Sequence, residues 1–172
     1  MAVGQDVISE ANAAMDKKAA GKYLTFRIAD EIYGIEILKV QEIIQLQEIT
    51  KVPKVPDFIR GVINLRGKVI PVMSLRNKFR IEDIEDTDNT CIIVVNVSSS
   101  KGTVIMGIVV DNVSEVLDID ADGIEESPSF GGGVDTSFIL GMGKVDKKVV
   151  MLLDIDKVLS SQEGRAIEEM GK

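Results

Sequence analysis

The chain has 172 residues, of which 45% are hydrophobic, 28% charged and 4% aromatic, and its 20 basic and 28 acidic side chains leave a net charge of −8. That suffices for one compact domain, or for two very small ones sharing a core, and the apolar fraction excludes a wholly disordered chain. One Cys excludes a disulfide framework, and the absence of His excludes Ser-His-Asp and Cys-His nucleophiles, histidine metal sites and phosphotransfer through histidine.

Residues 1–20 carry Asp6, Glu10, Asp16, Lys17 and Lys18 without an apolar run of signal-peptide length, which predicts a mobile tail or a frayed helix. No window approaches the roughly 18 consecutive apolar residues of a membrane span, so a cytoplasmic protein is expected. Leu24, Phe26 and Ile28 then alternate with Thr25 and Arg27, and Ile35 and Ile37 flank Glu36, the period of strands. Gly34-Ile35-Glu36-Ile37, followed by Val40, Glu42, Ile43 and Ile44, returns 73 positions later as Gly107 to Val110 followed by Val113, Glu115, Val116 and Leu117. Gly61 with Lys68 to Leu75 returns 80 positions on as Gly141 with Lys148 to Ile155. Two collinear matches at nearly one offset predict two halves, about 21–80 and 89–155, intertwined or packed together.

Residues 51–80 hold eight basic side chains against Asp57. Within them Gly61 to Lys68 resembles a phosphate-binding loop but has five intervening residues in place of four, and Val69 stands where Ser or Thr would bind magnesium, so no nucleotide site is expected. Gly61 and Gly67 bracket Asn64 to Arg66, which suggests a turn with positive φ that presents Asn64 and Arg66 outward. Pro71 inside an apolar run points to a sheet edge or a bulge. Ser74 and Asp154 share a repeat position and are both good N-caps, so a short helix is expected after each half's last strand. The second, around Lys157 to Gln162, is expected to continue into a C-terminal helix and tail over 156–172.

The acidic stretch Glu82 to Asp88 marks the junction between halves. Cys91 opens a β-branched run that makes it a buried thiol, and Ile92 to Val97, Val104 to Val110 and Val149 to Leu153 read as strands covered on both faces. Asp118 to Gly123 copies the first half of a calcium loop, but Ser129 replaces the bidentate Glu, Pro128 precedes it, and Val113 to Leu117 reads as a strand; an acidic turn is the better account. Gly131 to Gly133 reads as a flexible loop. Several short strands per half suit an all-β-dominated fold of two small closed barrels in tandem, with short helices.

No carboxylate pair is singled out by an apolar pocket pattern and no nucleophile motif is present, so neither catalysis nor a cofactor or metal is expected. Residues 1–80 carry a net +4 and residues 81–172 a net −12, an asymmetry that suits docking onto other molecules. A nucleic-acid-binding double barrel is the alternative, since residues 51–80 are basic. Against it stand the net charge and the shortage of aromatics for stacking, with Phe26, Phe58 and Phe79 set among apolar residues as core.

Three segments carry a family resemblance: Tyr33-Gly34-Ile35 with Lys39 to Ile43; Phe58 to Gly67 with Val69, Pro71 and Leu75; and Gly107 to Asp111 with Val113 to Leu117. Asn64-Leu65-Arg66-Gly67 with the preceding Gly61 is the specific core. Along about residues 21–160 the chain resembles the CheW family of bacterial chemotaxis coupling proteins. The regulatory domain of the histidine kinase CheA shares these motifs, but this chain has no room for kinase domains and fits the free-standing adaptor better. The resemblance implies two SH3-like barrels forming a non-enzymatic scaffold. It would bridge the cytoplasmic helical-hairpin tips of chemoreceptors, the methyl-accepting chemotaxis proteins, to CheA within membrane-associated receptor arrays, without entering the membrane.

The resemblance further implies a receptor groove between the barrels that uses Val40, Gly61, Val113 and Val116, with Glu42 and Arg66 sensitive and Asn64 beside them; it assigns no kinase-binding residue. Val40 and Val113 are equivalent in the repeat, so both barrels would line one groove. By residue chemistry, the Arg66 guanidinium suits bidentate pairing with Glu42 or with a receptor carboxylate, or else it is a solvated turn residue. Val40, Val113 and Val116 suit an apolar groove or a barrel core equally.

Overall fold

The computed structural model describes residues 21–82, 84–99, 102–119, 123–125 and 138–158. Along the chain they form β1 (Lys22–Ile28), β2 (Glu31–Glu36), a 3-10 turn (Ile37–Lys39), β3 (Val40–Gln45), β4 (Ile59–Leu65), β5 (Lys68–Ser74) and α1 (Leu75–Lys78). The second half gives β6 (Cys91–Ser99), β7 (Gly102–Val110), β8 (Asn112–Asp118), β9 (Ile124–Glu125), β10 (Ile139–Val145), β11 (Lys148–Leu153) and α2 (Ile155–Val158). The fold is all-β dominated, as the strand periodicity predicts.

The strands assemble into two sheets, ordered β8-β1-β2-β11-β10-β9 and β3-β6-β7-β5-β4. The repeat makes β1 to β5 equivalent to β6, β7, β8, β10 and β11. With that substitution the two orders are the same apart from the added β9. Each sheet therefore takes its first hairpin from one half and its other three main strands from the other half.

Connector length explains this exchange. Beside its own β1, β3 would run parallel to β2 with a strand between them, and only Ile37–Lys39 joins the two. A parallel crossover within one sheet needs a dozen or more residues. The chain instead steps into the other sheet, and Asp111 alone makes the same step from β7 to β8.

The faces of the strands sort into three apolar clusters. Ile63, Ile70, Val72, Ile92, Val94 and Val109, with Ile44 against them, fill the inside of the β3–β7 sheet. Ile119, Val150 and Leu152, with Tyr23, Ile32, Leu117, Ile124 and Val145, fill the inside of the other. Between the sheets lies a larger shared cluster that includes Leu24, Phe26, Ile35, Ile93, Val95, Met106, Ile108 and Leu153. Along β6, Ile92 and Val94 point into the barrel while Cys91, Ile93, Val95 and Val97 point into the shared core. Burial on both faces is why that run shows no polar alternation. Each fully buried Ile or Val contributes about 1.5–3 kcal/mol. A stack of Phe26, Tyr33, Phe79 and Phe138, with centroids 5.4–6.0 Å apart, lines this shared core.

Both predicted caps form: Ser74 Oγ accepts from Asn77 N–H at 3.3 Å, and Asp154 Oδ1 accepts from Asp156 N–H at 3.1 Å. Of the edge and the bulge expected for Pro71, the edge does not form, because β5 lies inside its sheet, while the β4–β5 register shifts between Ile59 and Gly61, beside the Val62–Pro71 pair. The pairing of β5 with β7 begins only at Val72, so the missing Pro71 N–H falls just before that ladder. Thr25 also departs from alternation. The β1–β8 register shifts between Leu24 and Phe26, and there Thr25 Oγ1 donates to Glu115 C=O at 2.6 Å and accepts from Glu115 N–H at 3.0 Å. The hydroxyl replaces the interrupted ladder and is buried.

Burial pushes the Cys91 thiol up to about 12. The native protein is therefore expected to resist thiol reagents at pH 8 and to label stoichiometrically in denaturant, read by mass spectrometry; fast native labelling would contradict this packing. Asp118 ends β8 and pairs with Lys22 at 2.9 Å. Asp120 to Asp122, the Gly131 to Gly133 loop, residues 1–20 and the extension beyond Val158 lie outside the described residues.

Candidate functional site

The segment that leaves β3 crosses to the far edge of the same sheet and closes it. Thr50 N–H donates to Val62 C=O and Val62 N–H to Thr50 C=O, both at 2.9 Å, and Gln47 Nε2 donates to Asn64 C=O at 3.1 Å. Arg66 and Glu42 bridge the seam with two hydrogen bonds, the longer being 2.9 Å from Nη1 to Oε1. In the second barrel β9 plays the part of Thr50, pairing Glu125 with Met142 of β10. The positions equivalent to Glu42 and Arg66 are Glu115 and Asp146, both carboxylates, so only the first barrel can carry this ion pair.

Arg66 sits in the two-residue turn between β4 and β5 with φ 50°, followed by Gly67 with φ 87°. Positive φ at both central residues matches the right-handed twist of the flanking strands. Asn64 Oδ1 accepts from Gly67 N–H at 2.9 Å and holds the turn. The structure thus pairs Arg66 with Glu42, one of the two partners open from the sequence, while its side chain stays 64% exposed. The hydrogen bonds from Arg66 hold the Glu42 carboxyl below the usual carboxylate range. The stabilisation linked to Glu42 is full above its unfolded value and is lost as pH falls through the lowered folded value.

Arg66→Lys keeps the charge and loses the fork. The expected result is an upward move of the Glu42 titration midpoint, followed by carboxyl carbon NMR, with only a small change in stability because the pair is exposed. An unmoved midpoint would show that the fork does not control Glu42. Next to the pair, Gln41, Leu65, Lys68, Ile70 and Ile105 line an open groove of about 230 Å³ with Arg66.

Gly61 is buried on β4 with φ 143°, and a Cβ there would lie 2.1 Å from Thr50 O. Val40, Val113 and Val116 face the shared cluster between the sheets; Val113 is 8% exposed and belongs to it, while Val40 and Val116 are half-buried against it. The structure therefore gathers the candidate residues into two groups. Glu42, Gly61, Asn64 and Arg66 hold the seam of one barrel, and the three valines lie toward the other sheet.

Residue-by-residue reading missed the ties across the sheets. Arg76 Nε donates to Asp111 Oδ1 at 2.8 Å and Nη2 to Oδ2 at 2.6 Å; Lys39 Nζ donates to Asp156 Oδ2 at 2.6 Å. Arg60 also pairs with Asp86 at 3.0 Å. Three of the eight basic residues in 51–80, Arg60, Arg66 and Arg76, are thus neutralised within the chain, which weakens the nucleic-acid alternative. Among the described residues, no group of three or more carboxylate or thiol side chains gathers as a metal site, and no helix is long and apolar enough to cross a membrane.

Residues 22–163 match the family described as CheW-like domain. The chain belongs to the CheW-like family. The chemotaxis protein CheW of Klebsiella aerogenes is 39% identical over 167 residues, covering 94% of this chain and 98% of that protein. The chemotaxis protein CheW of Treponema pallidum is 29% identical over 144 residues, covering 81% and 82%. Among solved structures, the scaffolding protein TtCheW from Thermoanaerobacter tengcongensis aligns with a TM-score of 0.72 at 35% identity, covering 83% of this chain and 94% of that one. Membership of the CheW-like family makes this chain a chemotaxis coupling adaptor of scaffolding type. None of these relatives supports the nucleic-acid alternative.

Proposed function

We propose that this CheW-like chain, through two barrels built over about 21–160, joins the cytoplasmic hairpin tips of chemoreceptors to the regulatory domain of CheA, without catalysis and without a cofactor, at receptor arrays in the cytoplasm. The observation that carries the reading is the placement of the equivalent valines, Val40 on β3 and Val113 on β8. Each follows a crossover between sheets and each faces the one shared core, so the two halves contribute matching apolar positions to the space between them. Val40 and Val116 keep part of their surface open there, and a helix face offering small apolar side chains is the ligand that such a partly open apolar surface accepts. Glu42 and Arg66 add charge at the seam of the first barrel, while Gly61 and Asn64 hold that seam and its turn in shape.

The test is an NMR titration of the labelled protein with an isolated receptor cytoplasmic hairpin. Saturable amide shifts at Val40, Glu42, Arg66, Val113 and Val116 are expected. Stationary amides at those positions at high receptor excess would overturn the groove assignment.

A further inference from the structure

We propose that two clamps of opposite polarity make each half of this chain pair with the other half and reject its own kind in a second copy. Both clamps have the same three parts: a residue in the crossover between sheets, the second residue of a one-turn helix, and the amide just past a first strand or at its end. In one, Asp111 of the β7–β8 crossover accepts from Arg76 of α1 and also from Ala29 N–H at 2.7 Å. In the other, Lys39 of the β2–β3 crossover donates to Asp156 of α2, whose second oxygen accepts from Ser98 N–H at 2.8 Å. Arg76 and Asp156 occupy one repeat position, two residues after the equivalent caps Ser74 and Asp154. Ala29 and Ser98 are equivalent too, since Ile28 pairs with Glu31 as Val97 pairs with Val104. The carboxylate is on the crossover in one clamp and on the helix in the other. The repeat copies the helix and amide positions but neither the charge polarity nor the crossover position, since Lys39 corresponds to Asn112 and Asp111 to Leu38.

The short crossovers force every half to exchange its first hairpin with some partner, and a second copy offers both kinds of half. Strand order alone does not discriminate, because the two sheets share it. Tandem repeats misassemble by this route. Charge does discriminate. First halves exchanging with each other would set Lys39 against Arg76, and second halves would set Asp111 against Asp156. Only unlike halves satisfy both clamps. The four side chains are 12–29% exposed, so solvent and salt screen them less than a surface pair.

Substitutions separate specification from simple stabilisation. The variant Lys39→Asp/Asp156→Lys retains two complementary clamps in the native arrangement but also makes like-with-like pairing complementary. Refolded from denaturant at increasing concentration, it is expected to shift from monomer to twice that mass by light scattering, where the wild type stays monomeric. The mirror variant Arg76→Asp/Asp111→Lys should do the same. Combining all four substitutions restores repulsion between like halves and should return the monomer, although that variant loses both carboxylate acceptors for the Ala29 and Ser98 amides. Monomer from both two-site variants, or dimer from the four-site variant as well, would overturn the proposal.

Discussion

The Gly61→Ala variant is expected to lose about 3 kcal/mol of unfolding free energy in urea denaturation, because a strained backbone and a hard steric contact act at one atom. With φ at 143° the residue occupies a region that L side chains rarely adopt, and the added Cβ would lie 2.1 Å from Thr50 O and 2.8 Å from Thr50 C. Those atoms belong to the bridge that closes the first barrel, so relief requires opening the seam. The repeat supplies a control. At Gly141 a Cβ would meet the Glu125 backbone O at 2.8 Å and Ile124 Cγ2 at 2.6 Å, contacts that also require a shift but are longer than 2.1 Å and carry no positive-φ strain. Gly141→Ala is accordingly expected to cost about 1 kcal/mol. A Gly61→Ala protein within about 0.5 kcal/mol of wild type would sink the seam account. Titration of the folded variant with the receptor hairpin at low temperature then separates a direct contact at Gly61 from an effect carried by the fold. Retained affinity there is the expected outcome.

Much of this architecture is legible from residues. The period-two pattern in β1, the continuous runs of β6 and β7, the paired caps Ser74 and Asp154, and the repeat at offsets of 73 and 80 locate strands, helices and halves. The turn bracketed by Gly61 and Gly67 also forms with positive φ at Arg66. Strand exchange was less legible, because hydrophobic pattern reports burial and not which sheet provides it. Connector length did hold that information: three residues after β2 and one after β7 are too few for a parallel return within one sheet. The burial of Thr25 and the choice between edge and bulge for Pro71 are not legible in the sequence, because both depend on local register. Among the candidate site residues, pairing of Arg66 with Glu42 is one of the readings that side-chain chemistry leaves open, and the structure selects it. The choice between core and groove for the valines did not, since a valine at a cleft floor and one in a core have the same sequence signature.

Asp111→Ala is expected to destabilise the protein by about 3 kcal/mol, close to the Gly61 effect but by another route. Asp111 is 20% exposed and Arg76 is 12% exposed, and both carboxylate oxygens are engaged by the guanidinium. Truncation removes the bidentate carboxylate from a largely buried guanidinium and takes the acceptor from Ala29 N–H. The 2.5 Å bond from Arg76 to Glu82 C=O does not involve Asp111 and is a neutral acceptor, weaker than the lost charge-assisted pair. In a double-mutant cycle with Arg76→Ala, a coupling of about 2 kcal/mol is expected, since the pair is bidentate and shielded. Asp111→Asn divides the two roles, because its amide oxygen can still accept from Ala29 while the charge is gone. It should recover about 1 kcal/mol of the alanine loss. The consequence for function lies in position: Asp111 is the single residue between β7 and β8, and Val113 and Val116 follow on β8. Loosening it frees the start of β8 against β1, so amide hydrogen exchange in Val113 to Val116 should accelerate ahead of exchange in β6. Uniform acceleration across both sheets would mean that the clamp supports the whole fold and not the placement of Val113 and Val116.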